Sequence, residues 1–368
     1  MEFSNKYQPY IEKFNHLKDE YEQYFPALFF ALGFSFDLFT LGEIDDLINI
    51  ITQAIYLLVA GHILFTYYCP PKREITNKYL KYYFEYKDDI FHFLLGSLLS
   101  AFTIFYFKSA SVANSFLFLG LISSLLLLNE IPHFQKLGHL VRSALFMLCL
   151  VSFLIYVIPI IFGKTGMLYF LSAALIALLL VLIKSYLFKL NSISPDEILK
   201  EFLLPQAIIL LLFIILYFSK IIPPVPLSLK HIGIYHDLRK KDNTYITYSN
   251  RPWYNFWSNG DQNYLYRKGD KVFVFTKVFA PAGFAGNIYI HWLKDTDDGY
   301  KTSDRIPLKV TGGRREGFRG FSYKSNYSEG DWQVRIETEG GLEIGRINIS
   351  ISKDESTEKR RFKKVAQE

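Results

Sequence analysis

The sequence predicts a polytopic α-helical membrane domain of about seven spans, followed by an all-β, sandwich-like domain outside the cytoplasm. Two observations predict this architecture. Half of the 368 residues are apolar and the mean hydropathy is positive, and the apolar runs long enough to cross a bilayer end by residue 219. From residue 230 onward, charged residues alternate with Val, Ile, Tyr and Phe, which is the period-two pattern of half-buried strands.

Residues 1–24 precede the first apolar run. Tyr10, Phe14, Leu17 and Tyr21 recur at spacings of four and three, which predicts a cytoplasmic amphipathic helix. The segment lacks the basic region and the small-residue cleavage site of a signal peptide. We therefore expect the first apolar run to remain as an anchor.

Residues 25–219 are predicted to form the membrane domain, because a hydrocarbon core needs roughly 17 to 25 apolar residues as helix. The predicted spans are 25–41, 47–66, 91–107, 113–128, 144–162, 167–183 and 202–218. The first is the weakest, being short and containing Asp37. A re-entrant or interfacial segment is the alternative interpretation there.

The distribution of basic residues predicts the orientation. With the N-terminus inside, the cytoplasmic segments hold thirteen Lys and Arg residues, whereas the outer turns hold only Lys108 and Lys164. An odd number of spans then places everything after residue 219 outside the cytoplasm. We expect a multi-pass protein of the cell (inner) membrane.

A proline-rich connector, 220–229, follows the last span. Pro223, Pro224 and Pro226 cannot continue a helix and favour extended backbone, so a short semi-rigid spacer is predicted. The next segment, 230–352, contains alternating runs separated by Gly-rich and Asp-rich turns, typical of a sandwich or barrel of seven or eight strands. Cys69 and Cys149 both precede it, so no disulfide is expected within it. The charged tail, 353–368, is expected to be disordered.

Several motifs on both sides of the connector carry a resemblance to a known family. They are PPVPLSLKHIGIYH, VFVFTKVFAPAG, IYIHW, VTGGRREGFRGFSYKSN and GDWQVRIETEGGLEIGRI, with GFSFDLFTLGEIDD, FLLGSLLSAFTIFYFKSAS and LLLLNEIP in the membrane half. Together they resemble the bacterial family called domain of unknown function 2914. The resemblance implies an integral membrane protein with an extracytoplasmic β domain, and it implies no reaction.

Acidic residues cluster at the outer end of the first two spans. Asp37 lies within a predicted span, where a carboxylate costs roughly 2.5 to 3.5 kcal/mol and is by default a candidate functional group. Glu43, Asp45 and Asp46 follow it and form an acidic outer rim. This rim could bind a cation, dock a basic loop of the β domain, or be a solvated turn.

Basic and aromatic residues of the β domain are the candidate ligand-binding groups. Arg314, Arg315 and Arg319, with Lys324 nearby, suit phosphate and carboxylate groups, although ordinary cross-strand pairing is the alternative. Trp253 and Trp257 could stack on a sugar ring, but packing against the domain or the membrane interface is the alternative.

These features favour a non-catalytic envelope protein. The leading hypothesis is a β-sandwich that binds an anionic lipid headgroup, a glycan or a partner protein in the envelope. The alternative is a membrane enzyme that acts on a lipid-linked or cell-wall substrate with the acidic rim. A transporter is disfavoured, because the sequence shows neither internal repeats nor paired broken helices. We expect no metal, no cofactor and no nucleic acid.

Overall fold

The computed structural model describes residues 35, 37, 39–71, 77–129, 138–242, 244–250 and 259–367. Within these residues the helices are α1 Leu47–Tyr68, α2 Lys78–Glu85, α3 Lys87–Ser109, α4 Val112–Asn129, α5 His139–Phe162, α6 Met167–Leu190 and α7 Pro195–Phe218. Helix α7 contains a π-helical segment, Ile198–Leu203.

Five of the described helices, α1, α3, α5, α6 and α7, are long and apolar enough to cross a membrane. The described part of α4, Asn114–Leu125, is also apolar. The first predicted span, 25–41, lies almost wholly outside the described residues, as does the predicted amphipathic helix 1–24. The count of seven spans therefore remains a prediction.

Helix α5 packs against α1, α3, α6 and α7, and α3 packs against α1 and α4. Most residues in the apolar segment of α5 are buried inside the protein, whereas most residues in the apolar segment of α6 are not. Leu168, Leu175 and Leu179 of α6 are exposed, and such an outward apolar surface is what a lipid environment accommodates.

Local sequence signals account for several helix ends. The carboxylate of Asp46 accepts a hydrogen bond from Ile48 N at 3.0 Å and caps α1. Ser194 caps α7 in the same way, and Pro195 follows at the first helical position. Gly163 ends α5 in the left-handed conformation, with φ of 62°.

The C-terminal region is rich in β structure, as predicted. Its strands are β1 Ser228–Tyr235, β2 Asp237–Lys241, β3 Thr244–Ser249, β4 Asn263–Tyr266, β5 Val272–Phe279, β6 Ala285–Lys294, β7 Lys301–Thr311, β8 Phe318–Lys324, β9 Gly330–Thr338, β10 Glu343–Lys353 and β11 Lys363–Gln367. They form sheets of order β1-β5-β8, β4-β10-β9-β6-β7 and β11-β3-β2. Adjacent strands are antiparallel except β4 and β10.

One buried cluster joins the first two sheets. Val274 of β5 contributes to it from the three-stranded sheet, and Ile290 and Trp292 of β6 contribute from the five-stranded sheet. Trp292 is fully buried, and its indole N–H donates to the Ser322 hydroxyl at 3.3 Å. Alternation along each strand thus places one face of both sheets in a common core.

The tail 353–368 was expected to be disordered, and the structure corrects this prediction. Its strand β11 pairs antiparallel with β3. Arg360 donates to both carboxylate oxygens of Asp270, at 2.7 and 2.9 Å, and Phe362 packs on His236 with 4.7 Å between the ring centres. The sequence shows no strong apolar period here. The segment is ordered instead by contacts with residues about a hundred positions earlier in the chain.

His236 lies between the tail and the main β region. Its ring stacks on Tyr264 at 4.1 Å as well as on Phe362. Burial, reinforced by the positive charge of Arg360, lowers the pKa of His236 to about 4. The Asp261 carboxylate lies 3.5 Å from Nε2. The carboxylates of Asp270 and Asp354 favour the charged form of His236, but burial outweighs them.

We expect acid to destabilise the β region through this histidine. The unfolded chain takes up the proton near pH 6.5 and the folded chain only near pH 4, so stability is present above pH 6.5 and is lost as the pH falls toward 4. The loss from one such group is up to roughly 3 kcal/mol. Thermal unfolding of His236→Gln between pH 7 and pH 4 should show a flatter profile than the parent chain. Equal slopes for the two proteins would contradict the assignment.

The connector is not a spacer that holds two domains apart. Ile222 and Val225 are buried in the cluster formed by the helices, and Leu227 is buried in the β core. Strand β1 begins at Ser228, within the predicted connector 220–229. The sequence located the break in helical structure, but the apolar side chains next to the prolines bring the two parts into direct contact.

Candidate functional site

The β region rests directly on one end of the helices. Its Ala285 N–H donates to the Gly163 carbonyl at 3.0 Å, just beyond α5. Near the end of α3, the Ser111 hydroxyl donates to the buried carboxylate of Glu343 on β10. The loops near residues 43, 111 and 163 were all predicted to lie on one side, and all three contact the β region.

A cleft of about 650 Å³ opens at this junction, and we call it the inter-domain cleft. The polar and backbone groups that line it come from Glu43, Asp45, Asp46, Lys108, Ala282 and Arg315. Four segments bring these residues together, among them α3 with Lys108 and the turn between β5 and β6 with Ala282. The turn before α1 supplies the carboxylates, and the turn between β7 and β8 supplies the arginine. The acidic rim predicted from sequence therefore meets Arg315, one of the predicted basic residues, at one site.

Each of the three rim carboxylates makes a contact that stabilises the fold. The Lys230 ammonium lies 2.9 Å from a carboxylate oxygen of Glu43. Asp45 accepts a hydrogen bond from Ala282 N at 2.9 Å, and Asp46 caps α1. The first two contacts tie the helices to the β region, which is the docking role considered for this rim.

Lys108 and Arg315 are the cations that line the cleft, and their contacts differ from those of the carboxylates. Lys108 lies near the end of α3, close enough to Glu43 and Lys230 for their charges to influence it. Arg315 is exposed on the turn between β7 and β8. Among the described residues, neither cation has an ion-pair or hydrogen-bond partner within bonding distance. Both are available to an anion that enters the cleft.

The other predicted basic residues do not line this cleft. Arg314 is exposed on the same turn as Arg315, and the guanidinium of Arg319 lies 5.7 Å from the Tyr245 ring centre. Lys324 is buried, where it donates to Ser303 Oγ at 2.8 Å and pairs with Asp304. That ion pair lowers the pKa of the Asp304 carboxyl below its usual value. This ion pair joins β8 of the three-stranded sheet to β7 of the five-stranded sheet, so it differs from the cross-strand pairing considered for the basic residues.

Asp37 lies apart from the rim. Its carboxylate accepts a hydrogen bond from Ser100 Oγ of α3 at 2.6 Å. It lines a neighbouring groove of about 450 Å³ together with Asn49 and Gln53 of α1. Trp253 and Trp257, the predicted sugar-stacking pair, lie outside the described residues.

Sequence reasoning missed two members of the junction. Lys108 was noted only as one of two basic residues in the outer turns, and that rarity was the signal that could have identified it. Lys230 carried no signal, because its partner Glu43 lies 187 residues earlier. Within the described ranges, no group of three or more His, Cys, Asp or Glu side chains is arranged to hold a metal ion.

Comparisons with known proteins found one family model that matches part of the β region. Residues 286–351 match the family model described as a protein of unknown function, DUF2914, which confirms the resemblance for that part of the chain. No curated protein matches the sequence. Among solved structures, the chain is similar to the crystal structure of an immunoglobulin-like protein from Pseudomonas aeruginosa, with 9% identity and a TM-score of 0.22. That match covers 35% of this chain and 98% of the other.

Proposed function

We propose that this chain, whose residues 286–351 carry the DUF2914 domain, is an integral protein of the bacterial cell membrane that binds the phosphate-bearing headgroup of an envelope lipid in the inter-domain cleft. In this proposal its N-terminus is cytoplasmic, and its β region, a sandwich in architecture, lies on the outer face. The role is recognition within the envelope, without catalysis.

The availability of Lys108 and Arg315 is the single observation that carries this proposal. Lys108 comes from a helix long enough to span a membrane, and Arg315 comes from the β region that covers the end of that helix. A group held by both lies at the level of the helix ends, where lipid headgroups are found. Guanidinium and ammonium groups are the protein's usual partners for phosphate.

The acidic rim favours binding over catalysis. A general acid or base must be free to exchange a proton with the substrate. Glu43 is paired with Lys230, and Asp45 and Asp46 accept backbone hydrogen bonds. Their negative charges offset the positive charges of Lys108 and Arg315. The cleft therefore accommodates a ligand that carries a positive or hydroxyl group next to its phosphate.

Binding of a soluble short-chain phospholipid tests the proposal. We expect dihexanoyl phosphatidylglycerol to bind the full chain in nanodiscs saturably, and Lys108→Ala with Arg315→Ala to weaken it at least tenfold. Two charge-assisted hydrogen bonds, each worth about 1.5 to 3 kcal/mol, are lost in this variant. Microscale thermophoresis at 50 and 300 mM salt measures the affinity.

The matched control for the Arg315→Ala change is Arg314→Ala, which removes one positive charge from the same turn at a residue that does not line the cleft. We expect a change of less than twofold. Equal weakening by Arg314→Ala would indicate nonspecific surface attraction and would contradict the proposal. Inorganic phosphate binding as tightly as the lipid would show that the ligand is a soluble anion.

A further inference from the structure

A second concave site lies on the outward face of the five-stranded sheet. This distal groove has a volume of about 430 Å³. Its lining includes the polar and aromatic side chains of Asn263, Asp295, Tyr300, Asp331, Asn348 and Ser350. They come from the beginnings of β4 and β9, the latter part of β10 and the turn between β6 and β7.

The distal groove is far from the inter-domain cleft. Glu343, at the start of β10, contacts Ser111 at the junction with the helices. Ser350 lies seven residues further along the same strand, which is about 23 Å at the rise of an extended chain. The groove therefore lies toward the end of β10 that is away from the helices.

Strand register places the polar side chains in one row. Ser350 pairs with Asp331 on one side and with Asn263 on the other. Directly paired residues of neighbouring strands project from the same face, so the three side chains line the floor together. The Asp295 N–H donates to the Asp331 carbonyl at 2.9 Å and brings a second carboxylate to the edge.

This row offers both hydrogen-bond donors and acceptors. The Asn348 side-chain oxygen accepts from Gln333 Nε2 at 2.8 Å, which leaves the Asn348 amino group available as a donor. The carboxylates of Asp295 and Asp331 are exposed and can only accept. Adjacent hydroxyl groups of a sugar donate and accept in the same way, so this floor is complementary to them.

Tyr300 adds an aromatic surface to this floor. Its side chain is 42% exposed, and the Arg335 guanidinium lies 5.9 Å from its ring centre. An exposed aromatic ring beside a few convergent polar groups is the usual composition of a small-molecule site. The two carboxylates give the groove a negative charge, which disfavours phosphate and other anions.

From these observations we infer that the distal groove binds a neutral saccharide, stacked on Tyr300 and hydrogen-bonded to the row formed by Asp331, Asn348 and Ser350. This site does not depend on the headgroup cleft. A chain with both sites would connect a lipid at the membrane to a glycan about 20 Å or more above it.

Saturation-transfer NMR on the full chain in nanodiscs tests this inference. The probes are neutral tetrasaccharides of N-acetylglucosamine, glucose, galactose and mannose. We expect saturable binding of at least one of them, weakened at least fivefold by Tyr300→Ala and by Asn348→Ala. The affinity should be the same at 50 and 300 mM salt, unlike that of the lipid.

The matched control is Tyr323→Ala, which removes another half-exposed tyrosine from β8. It should leave binding unchanged, and thermal unfolding should show that all variants remain folded. The inference is overturned if no tetrasaccharide binds, or if Tyr323→Ala weakens binding as much as Tyr300→Ala. The Lys108→Ala, Arg315→Ala variant should lose lipid binding and keep saccharide binding. Its lipid binding therefore tests only the headgroup proposal.

Discussion

The Gly163→Ala variant is expected to separate the β region from the end of α5. A Cβ atom at Gly163 would lie 2.3 Å from the Gly283 carbonyl oxygen, closer than two such atoms can approach. The opposing atom belongs to the backbone, so it cannot move aside as a flexible side chain would. The hydrogen bond from Ala285 N to the Gly163 carbonyl would break as the two loops part.

Hydrogen exchange of the peptide that contains Ala282 and Ala285 measures this separation. Both amides donate across the junction, to Asp45 and to Gly163 respectively. We expect their exchange in Gly163→Ala to be at least tenfold faster, and phosphatidylglycerol binding to weaken with it, because the cleft is formed by both parts.

Gly166→Ala is the matched control for this experiment. Gly166 has a φ of 135°, so alanine strains the backbone there too, but no atom lies within 4 Å of the Cβ position. We expect the exchange of the junction amides to change little. Unchanged protection in Gly163→Ala, or equal acceleration in both variants, would show that this contact does not hold the two parts together.

The Trp292→Ala variant is expected to have the largest effect on the stability of the β region. Trp292 is the largest fully buried side chain of the described residues, and it lies in the cluster shared by two sheets. Removal of such a side chain leaves a cavity and costs about 3 to 5 kcal/mol. The Ser322 hydroxyl also loses its donor.

Urea unfolding of the full chain, followed by far-ultraviolet circular dichroism at strand wavelengths, measures this loss. Tyr323→Ala should change the free energy of unfolding by no more than about 0.5 kcal/mol, because Tyr323 is half exposed. Trp292→Phe should be intermediate, since it keeps most of the buried surface. A loss below 1 kcal/mol for Trp292→Ala would contradict the assignment of this core.

The basic residues from Arg314 to Lys324 were predicted from the sequence only as a group. The pattern of Arg314, Arg315, Arg319 and Lys324 predicted an anion-binding surface, but it could not separate the four residues. Only the fold shows that Arg315 lines the cleft, that Arg319 lies against Tyr245, and that Lys324 is buried with Asp304. Neighbours in sequence point to different faces once strands and turns have formed.

Consecutive residues are enough to predict where this chain changes from long apolar helices to alternating strands. They also show that acidic residues precede α1 and that basic residues lie between β7 and β8. These properties depend on segment length, local period and turn chemistry, which are written in consecutive residues.

Which distant segments meet depends on the folded arrangement of the whole chain. This arrangement brought Glu43 to Lys230 and Ser111 to Glu343, it buried Ile222 and Val225 of the connector, and it paired the tail with β3. It also aligned Asp331, Ser350 and Asn263 in the distal groove. Contacts of this kind join residues separated by up to 237 positions. Their free energy depends on the shape and burial of both partners together, which no local pattern encodes.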